Sequence, residues 1–327
     1  MKVLVTGADG LLGSNLVREL LQRQTRVKAF VLPNSPSKTL ANLDIERFEG
    51  NLLNAEDLIK AIHDCDAVIH AAANTNIWPD RSEMVRRVNI DGTRNLVEAA
   101  IQAKVKRMVY VGTANTFGFG SKESPGDETR PYRSARYGLD YMDSKRAAQQ
   151  LILKAVQERE LPALVVNPTF MLGPYDSKPS AGAMVVAIHQ GKVPGYTSGG
   201  RNYIYVKDVA IAICNALSMG RIGECYIAGH QNLNYKEAFG KIAQIVGAKA
   251  PAIPIPSFAS LLYGAIGSFG SKLTGKPPTV SLAMARISTD EHYFSARKAI
   301  DELQLPQTPI EQAIRESFEW MRANGVC

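Results

Sequence analysis

The chain opens with Met1-Lys-Val-Leu-Val-Thr-Gly7-Ala-Asp-Gly10-Leu-Leu-Gly13, and this stretch decides the fold. The apolar run at 3–5 predicts a buried strand, and the apolar spacing over 11–21 predicts a helix directly after the glycines. A strand that turns through glycines into a helix directs backbone N–H groups and the helix N-terminus at a phosphate. We therefore interpret the glycines as a dinucleotide-binding turn. The alternative is a structural turn without a ligand, because three glycines at this spacing also arise by chance.

The composition is that of a soluble globular protein. The 327 residues are 45% hydrophobic and 21% charged, which suffices for one large core or two smaller ones. A net charge of +7 without basic runs between aromatic residues gives no indication of nucleic-acid binding. The 4 cysteines form no CxxC pair and the 5 histidines show no metal spacing, so we expect free thiols and no metal site. We also expect a cytoplasmic protein without stable membrane insertion, since the predicted first strand leaves no room for a signal peptide.

Apolar runs alternate with helical periodicity through the first half of the chain. Strands are predicted at 2–6, 26–32, 44–49, 66–72, 106–112 and 162–168, and helices at 11–23, 55–63, 83–103 and 137–160. This alternation is typical of an α/β fold with a doubly wound, Rossmann-like parallel sheet. Loops at the carboxyl ends of such strands form the ligand crevice.

The amino-acid composition changes after Pro168, where Gly, Pro and Ser become frequent. We predict a dinucleotide-binding domain over 1–170, to which 203–229 returns. A smaller substrate-binding lobe is predicted over 171–202 and 230–327. The two parts therefore interleave instead of dividing at one linker.

Tyr141 and Lys145 lie within the helical pattern at 137–160. Positions i and i+4 share one face of a helix, so the Lys145 ammonium is expected beside the Tyr141 phenol. A neighbouring cation favours the phenolate, which makes Tyr141 a candidate acid/base. A second copy of this spacing, Tyr203 and Lys207, lies in a strand-like alternation, where the side chains would be roughly 13 Å apart.

Thr113 follows the predicted strand at 106–112. A hydroxyl at the carboxyl edge of the sheet can donate to a substrate oxygen. The alternative is a turn in which the threonine bonds its own backbone.

Together these elements resemble the extended short-chain dehydrogenase/reductase family, of the NAD-dependent epimerase/dehydratase type. The glycine turn, Thr113, Tyr141 and Lys145 match its cofactor turn and its catalytic residues. Further matches are His70-Ala-Ala-Ala73, Asn89 and Asn167-Pro-Thr169. The likeness is closest to dihydroflavonol-reductase-like proteins and hopanoid-associated sugar epimerases, and it is carried by 166–174, 220–229 and 320–325.

The resemblance implies hydride transfer between a nicotinamide and a carbonyl or alcohol. Tyr141 would exchange the hydroxyl proton, Lys145 would hold the cofactor ribose and lower the pKa of Tyr141, and Thr113 would donate to the reacting oxygen. The candidate cofactor-binding residues are Gly7, Asp9, Gly10, Leu11, Leu12, Gly13, Leu32, Lys38, Asn51, Leu52, Ala71, Ala72, Ala73, Val111, Tyr141, Lys145, Asn167, Pro168 and Thr169.

The end of the second strand departs from the family pattern. No acid lies about 20 residues past the glycines to select NAD, and Leu32 stands where relatives that use NADP often have an arginine. Ser35, Ser37 and Lys38 follow and are candidates to hold a 2′-phosphate, so the prediction is NADP, with NAD as the alternative. Asn51 also replaces the aspartate that the family usually carries beside adenine.

Two other functions remain open. One is a nucleotide-sugar epimerase or dehydratase that retains NAD, because Arg201 resembles the arginine that meets the diphosphate in such enzymes. The other is a non-catalytic dinucleotide-binding sensor. The candidate substrate residues are Asn74, Trp78, Asn115, Met171, Tyr175, Tyr196 and Arg201.

Two expectations concern packing and assembly. The apolar segment 258–266 is predicted to pack in the core, with a cover over an apolar substrate or a position near a membrane surface as alternatives. The resemblance further implies a homodimer through the helices at 83–103 and 137–160.

Overall fold

The computed structural model of the chain describes residues 1–177 and 179–327. Its strands are Lys2–Thr6 (β1), Arg26–Val31 (β2), Glu46–Glu49 (β3), Ala67–His70 (β4), Arg107–Val111 (β5), Ala163–Pro168 (β6), Phe170–Leu172 (β7), Gly195–Tyr196 (β8), Gly200–Tyr205 (β9), Cys225–Ala228 (β10), Gln231–Asn234 (β11), Ile253–Pro254 (β12) and Glu291–His292 (β13). Its α-helices are Leu11–Gln22 (α1), Ala55–Ile62 (α2), Glu83–Arg86 (α3), Gly92–Gln102 (α4), Asp140–Arg159 (α5), Gly182–His189 (α6), Val206–Asn215 (α7), Tyr235–Val246 (α8), Ser257–Thr274 (α9), Leu282–Ser288 (α10), Arg297–Leu303 (α11) and Ile310–Ala323 (α12).

Seven parallel strands form the main sheet, in the order β10-β6-β5-β4-β1-β2-β3. β1, β4 and β6 are buried along their whole length, as expected for parallel strands with helices on both faces. The chain runs from β1 out to β3 and then crosses back to β4 on the other side of β1. This reversal opens a crevice at the carboxyl ends of β1 and β4. The Rossmann-like, doubly wound prediction is confirmed.

The predicted helix over 83–103 is interrupted. The structure has α3, a π-helical turn at Arg87–Asp91 and then α4. Asn89 lies in this turn, where its Oδ1 accepts from the N–H of Asn74 at 2.7 Å and its Nδ2 donates to the Ser144 hydroxyl at 2.9 Å. The π-helical turn thus directs the Asn89 side chain inward, where its hydrogen bonds connect the loop after β4 to α5.

A smaller sheet lies outside the main one. It has the order β11-β9-β13, and β7 also pairs with β9 in parallel. Residues 203–205 were predicted to return to the main domain, but they belong to β9 and therefore to this small sheet. The return begins with α7, which packs against α1, and continues with β10 beside β6. The other domain boundaries stay a prediction.

The apolar segment 258–266 does not pack in the core, so that prediction is wrong. It forms the first half of α9, and the side chains of Phe258, Leu262 and Ile266 are 74%, 60% and 63% exposed. Among the described residues, no helix has the length and apolar character needed to cross a membrane.

Candidate active site

The three glycines form a tight turn between β1 and α1. Gly7 has φ +67°, and a Cβ on it would lie 2.7 Å from the Cα and N of Ala72 in the loop after β4. A Cβ on Gly13 would lie 1.9 Å from the carbonyl oxygen of Gly7, to which the N–H of Gly10 donates at 3.1 Å. The turn is therefore closed around its own backbone, and only glycine fits at positions 7 and 13.

The N-terminus of α1 fits the pyrophosphate of a dinucleotide. Its N-cap residue is Gly10, which offers no capping side chain, and its first turn contains no acid. The first N–H groups, at Leu11 and Leu12, thus point out of the helix without a side-chain acceptor. The helix dipole and these N–H groups favour an anion at this end.

A chain of hydrogen bonds holds the loop after β4 against this turn. The Thr93 hydroxyl donates to the carbonyl oxygen of Asn89 at 2.7 Å, so it accepts from Nε2 of His70 at 3.0 Å. Nδ1 of His70 then accepts from the Thr6 hydroxyl at 2.7 Å, whose oxygen accepts from the N–H of Ala72 at 3.2 Å. Burial lowers the pKa of His70 to about 3, which keeps this ring neutral in its bridging role.

Tyr141 and Lys145 lie one turn apart near the N-terminus of α5, as predicted. The Nζ of Lys145 donates to the carbonyl oxygen of Val111 at 2.7 Å and lies 4.4 Å from the centre of the Tyr110 ring. Lys145 is 4% exposed. The side chain is thus anchored at the end of β5, with N–H groups left for a further acceptor.

Thr113 comes directly after β5 and lies beside Tyr141. A side-chain hydrogen bond with Thr113 opposes the rise that burial causes in the pKa of Tyr141. The Thr113 hydroxyl also accepts from the N–H of Asn115 at 3.4 Å. The structure therefore brings the three predicted catalytic residues together at one edge of the sheet.

The electrostatics of the pair differ from the prediction. Burial raises the pKa of Tyr141 and lowers the pKa of Lys145 to about 7. The prediction was that the ammonium would lower the pKa of the phenol. Desolvation penalises both charged forms, and for Tyr141 the hydrogen bond with Thr113 offsets only part of that effect. A protonated Tyr141 at neutral pH is the form that donates a proton.

Asn167, predicted to meet the nicotinamide, is fully buried at the end of β6. Its Nδ2 donates to Oε1 of Gln149 at 2.7 Å and to the carbonyl oxygen of Thr113 at 3.1 Å. Its side chain therefore braces the Thr113 backbone. Gln149 was missed, because a glutamine on a helix carries no sequence signal for this contact. Pro168 is buried in β6, and the Thr169 hydroxyl donates to Asn202 at 2.8 Å.

The Asp9 carboxylate of the glycine turn contacts the turn that follows β2. The carboxylate of Asp9 accepts from the hydroxyl of Ser35 at 2.7 Å and from that of Ser37 at 3.4 Å. Leu32 is 60% exposed at the end of β2. The serines that were candidates for a 2′-phosphate are thus engaged by a negative charge.

Asn51 and Leu52 lie at the end of β3. Oδ1 of Asn51 accepts from the N–H of Leu53 at 2.9 Å and so closes its own turn. Leu52 is buried against Gly92, where a Cβ would lie 2.9 Å from the Cβ of Leu52. The Asn51 amide group stays exposed at this edge.

Of the predicted substrate residues, Asn115 contacts Thr113 directly, whereas Asn74 and Trp78 lie in the loop after β4. Asn115 follows Thr113 by two positions, and the Asn74 backbone is held by Asn89 at 2.7 Å. In the same loop, the Trp78 indole N–H donates to Ser271 of α9 at 2.8 Å.

Arg201 and Met171 lie on paired strands of the small sheet. The Nε of Arg201 donates to the Tyr235 hydroxyl at 2.9 Å, and its guanidinium lies 4.9 Å from the centre of the Phe170 ring. Met171 pairs with Ile204 in the register of β7 and β9. The guanidinium is held by one hydrogen bond and a ring, which suits an anionic group.

Tyr175 and Tyr196 are not brought to the catalytic residues. The Tyr175 ring packs under Arg18 at 3.7 Å and against Trp320 at 5.9 Å, in a cleft of about 210 Å³ that Lys38 also lines. Tyr196 lies in β8, which pairs with β12. The predictions for Tyr175 and Tyr196 rested on position along the chain, which does not fix distance in the fold. The role of Lys38 in cofactor binding stays a prediction.

A buried polar cluster lies next to the small sheet and was missed. The Tyr137 hydroxyl donates to Asp290 at 2.5 Å and is 2.9 Å from Nε2 of His292. The His292 ring stacks on Phe119 at 4.1 Å. Burial holds the pKa of His292 well below its usual value. These residues meet only because β13 returns across the fold, so spacing gave no signal.

Comparisons with known proteins show which family the chain resembles. The model of the NAD dependent epimerase/dehydratase family matches residues 3–229. A dihydroflavonol 4-reductase-like protein of Synechocystis sp. is 32% identical over 98% of this chain and 94% of its own. Sterol demethylase protein B of Methylococcus capsulatus is 27% identical over 100% of both chains. The crystal structure of a nucleoside-diphosphate-sugar epimerase from Pseudomonas aeruginosa has a TM-score of 0.82 at 27% identity, over 100% of this chain and 99% of that one.

Proposed function

Since the chain belongs to the NAD-dependent epimerase/dehydratase family and is a nicotinamide-dependent oxidoreductase, we propose that it interconverts a carbonyl group and an alcohol with net redox change. The observation that carries the proposal is the convergence of Thr113, Tyr141 and Lys145 at the end of β5, next to the glycine turn. Membership of this family favours an enzyme over the sensor considered above.

Each residue at this site would have its own role in the transfer of the hydride and the proton. The bound nicotinamide supplies or accepts the hydride. In the reductive direction, Tyr141 donates its phenolic proton to the carbonyl oxygen, and its raised pKa keeps that proton in place at neutral pH. Thr113 donates a hydrogen bond to the same oxygen, where negative charge develops.

Other groups would hold the dinucleotide. The N–H groups at the start of α1 face the pyrophosphate. Lys145 uses one N–H on Val111, which leaves two for ribose hydroxyls. The loop at 71–73 forms the wall beside Gly7.

An epimerase or dehydratase is the second candidate. Arg201 favours it, because the guanidinium is held by Tyr235 and Phe170 in a way that suits a diphosphate. The same arginine suits a carboxylate or phosphate on a redox substrate.

Incubation with NADH and a panel of ketones separates the two. We expect NADH to be consumed in step with alcohol formation, since a net reduction changes the cofactor. If NAD⁺ instead stays bound through purification, and sugar nucleotides are isomerised without loss of NADH absorbance, the epimerase proposal replaces this one.

We further propose that NAD is preferred over NADP, against the expectation from the sequence. The Asp9 carboxylate, which accepts from Ser35 and Ser37, supplies the acid that the end of β2 lacks. A carboxylate there accepts from ribose hydroxyls and repels a 2′-phosphate. Lys38, the cation expected to offset that charge, lines the cleft with Arg18 and Tyr175 instead.

Replacement of Asp9 by serine should therefore raise the affinity for NADPH about tenfold, or ~1.4 kcal/mol of relieved repulsion. Binding titrations with NADH and NADPH measure the ratio directly. Lys38→Ala is the matched control and should leave it unchanged. A loss of NADPH affinity in Lys38→Ala, with no gain in Asp9→Ser, would restore the NADP prediction.

The homodimer through α4 and α5 and the cytoplasmic location stay predictions. The chain exposes Arg94, Glu98 and Lys154 on these helices, which gives no further support for an interface there.

A further inference from the structure

Helix α9 is amphipathic, but its large apolar side chains are exposed, whereas a surface helix of a globular protein turns its apolar face to the core. Its large apolar side chains follow one another three or four residues apart and so share one face. They are exposed, at 74% for Phe258, 60% for Leu262, 63% for Ile266, 66% for Phe269 and 73% for Leu273. Tyr263 of the same helix is also exposed, at 57%. We call this set the α9 stripe.

Gly264, Gly267 and Ser268 of α9 face the protein. A Cβ on Gly264 would lie 2.7 Å from the Cβ of Ala285, and one on Gly267 would lie 2.5 Å from the carbonyl oxygen of Val280. The Ser268 hydroxyl accepts from the N–H of Leu282 at 2.8 Å. Because this face packs against α10 and the residues that precede it, α9 cannot rotate about its axis to bury the stripe without losing these contacts.

The charges in the sequence of α9 and its flanking segments are of one sign. From Ala238 to Thr289 the chain contains no Asp or Glu, while it contains Lys241, Lys249, Lys272, Lys276 and Arg286. Lys249, Lys272, Lys276 and Arg286 are exposed. One acid, Asp80, lies on the loop that packs against α9, and the charge of Lys272 opposes part of the rise that burial causes in its pKa. The stripe is thus set in a basic surface.

We propose that the α9 stripe docks on an anionic lipid surface. A helix that lies in a membrane interface buries large apolar side chains in the acyl boundary and keeps cations at the headgroups. Lys272 and Lys276 at the C-terminal end of α9 stand where they meet phosphates while Phe269 and Leu273 enter the boundary. The helix lies on the membrane and does not cross it.

A second copy of the chain is the less suitable occupant. In a two-fold dimer the same patch meets itself, so the lysines around the stripe would face the same lysines of the second copy. An apolar patch of this kind on a monomer marks a binding site for a partner or a membrane. The absence of acids over this stretch favours the anionic partner.

Co-sedimentation with vesicles tests the proposal. We expect the wild-type chain to bind phosphatidylcholine vesicles that contain phosphatidylglycerol, to bind pure phosphatidylcholine more weakly, and to be released by salt. Ile266→Ser with Phe269→Ser should lower the partition coefficient about tenfold or more. Lys272→Glu with Lys276→Glu should lower it about fivefold or more.

Ile222→Ser is the matched control, because Ile222 is also an exposed apolar residue, 42% exposed and far along the chain from α9. It should bind as the wild type does. All these positions are exposed, so unfolding midpoints should stay unchanged. Equal vesicle binding by the wild type and the Ile266→Ser/Phe269→Ser variant overturns the proposal. Failure of the wild type to bind the vesicles also overturns the proposal. This includes the case in which the wild type is a dimer in solution that the Ile266→Ser/Phe269→Ser variant dissociates.

Discussion

Tyr141→Phe is expected to lower kcat about a thousandfold while the dinucleotide still binds. The variant keeps the ring in the buried position on α5 but removes the proton that the carbonyl oxygen receives. Lys145 keeps its bond to Val111, and the glycine turn is untouched, so cofactor affinity should change little. Single-turnover rates and a dinucleotide titration on the same preparation measure the two effects separately.

The chain contains its own control for this variant. Tyr203 also precedes a lysine by four residues, but it lies in β9, while Lys207 lies in α7 and pairs with Glu316 at 2.7 Å. Among the described residues the buried Tyr203 hydroxyl has no hydrogen-bond partner, so its removal leaves no donor or acceptor unpaired. Tyr203→Phe should turn over as the wild type does. Near-normal rates in Tyr141→Phe would remove Tyr141 from the mechanism.

Gly13→Ala is expected to destabilise the fold by about 3 kcal/mol. The added Cβ would lie 1.9 Å from the carbonyl oxygen of Gly7 and 2.7 Å from the Cα of Ala8. Both are backbone atoms, so relief requires movement of β1 or α1. Urea unfolding measures the loss, and we expect the dinucleotide to bind weakly to the distorted turn.

Gly10→Ala is the matched variant in the same motif. Its Cβ would meet only the carbonyl oxygen of Gly7, at 3.4 Å, so the free energy of unfolding should fall by less than about 1 kcal/mol. The methyl group would stand at the N-terminus of α1, where it blocks the pyrophosphate, and affinity should fall about tenfold. Equal loss of stability in both variants, or unchanged binding in Gly10→Ala, would contradict the assignment of the turn.

The strand, the glycine turn and α1 were predictable because their signals are local. Apolar runs, helical spacing and glycines act over a few residues, and the alternation of strands with helices also indicates a parallel sheet. Tyr141 and Lys145 were predictable for the same reason, since one helical turn brings them together whatever surrounds them.

Contacts between distant segments were not predictable. Tyr137, Asp290 and His292 meet across more than a hundred residues, and Tyr175 follows a strand of the small sheet yet packs on α1. Asp9 was named as a cofactor residue, but its bonds to Ser35 and Ser37 depend on how β2 ends beside the turn. Pattern along a chain does not measure such distances.

The sequence by itself thus determined the doubly wound sheet, the glycine turn and the pairing of Tyr141 with Lys145 on one helix. Tertiary structure alone decided three further properties: the burial that raises the pKa of Tyr141, the hydrogen bonds of Asp9 to Ser35 and Ser37, and the outward direction of the α9 stripe. The physical reason is that periodicity states which residues share a face, whereas solvation and charge depend on what the rest of the fold places against that face.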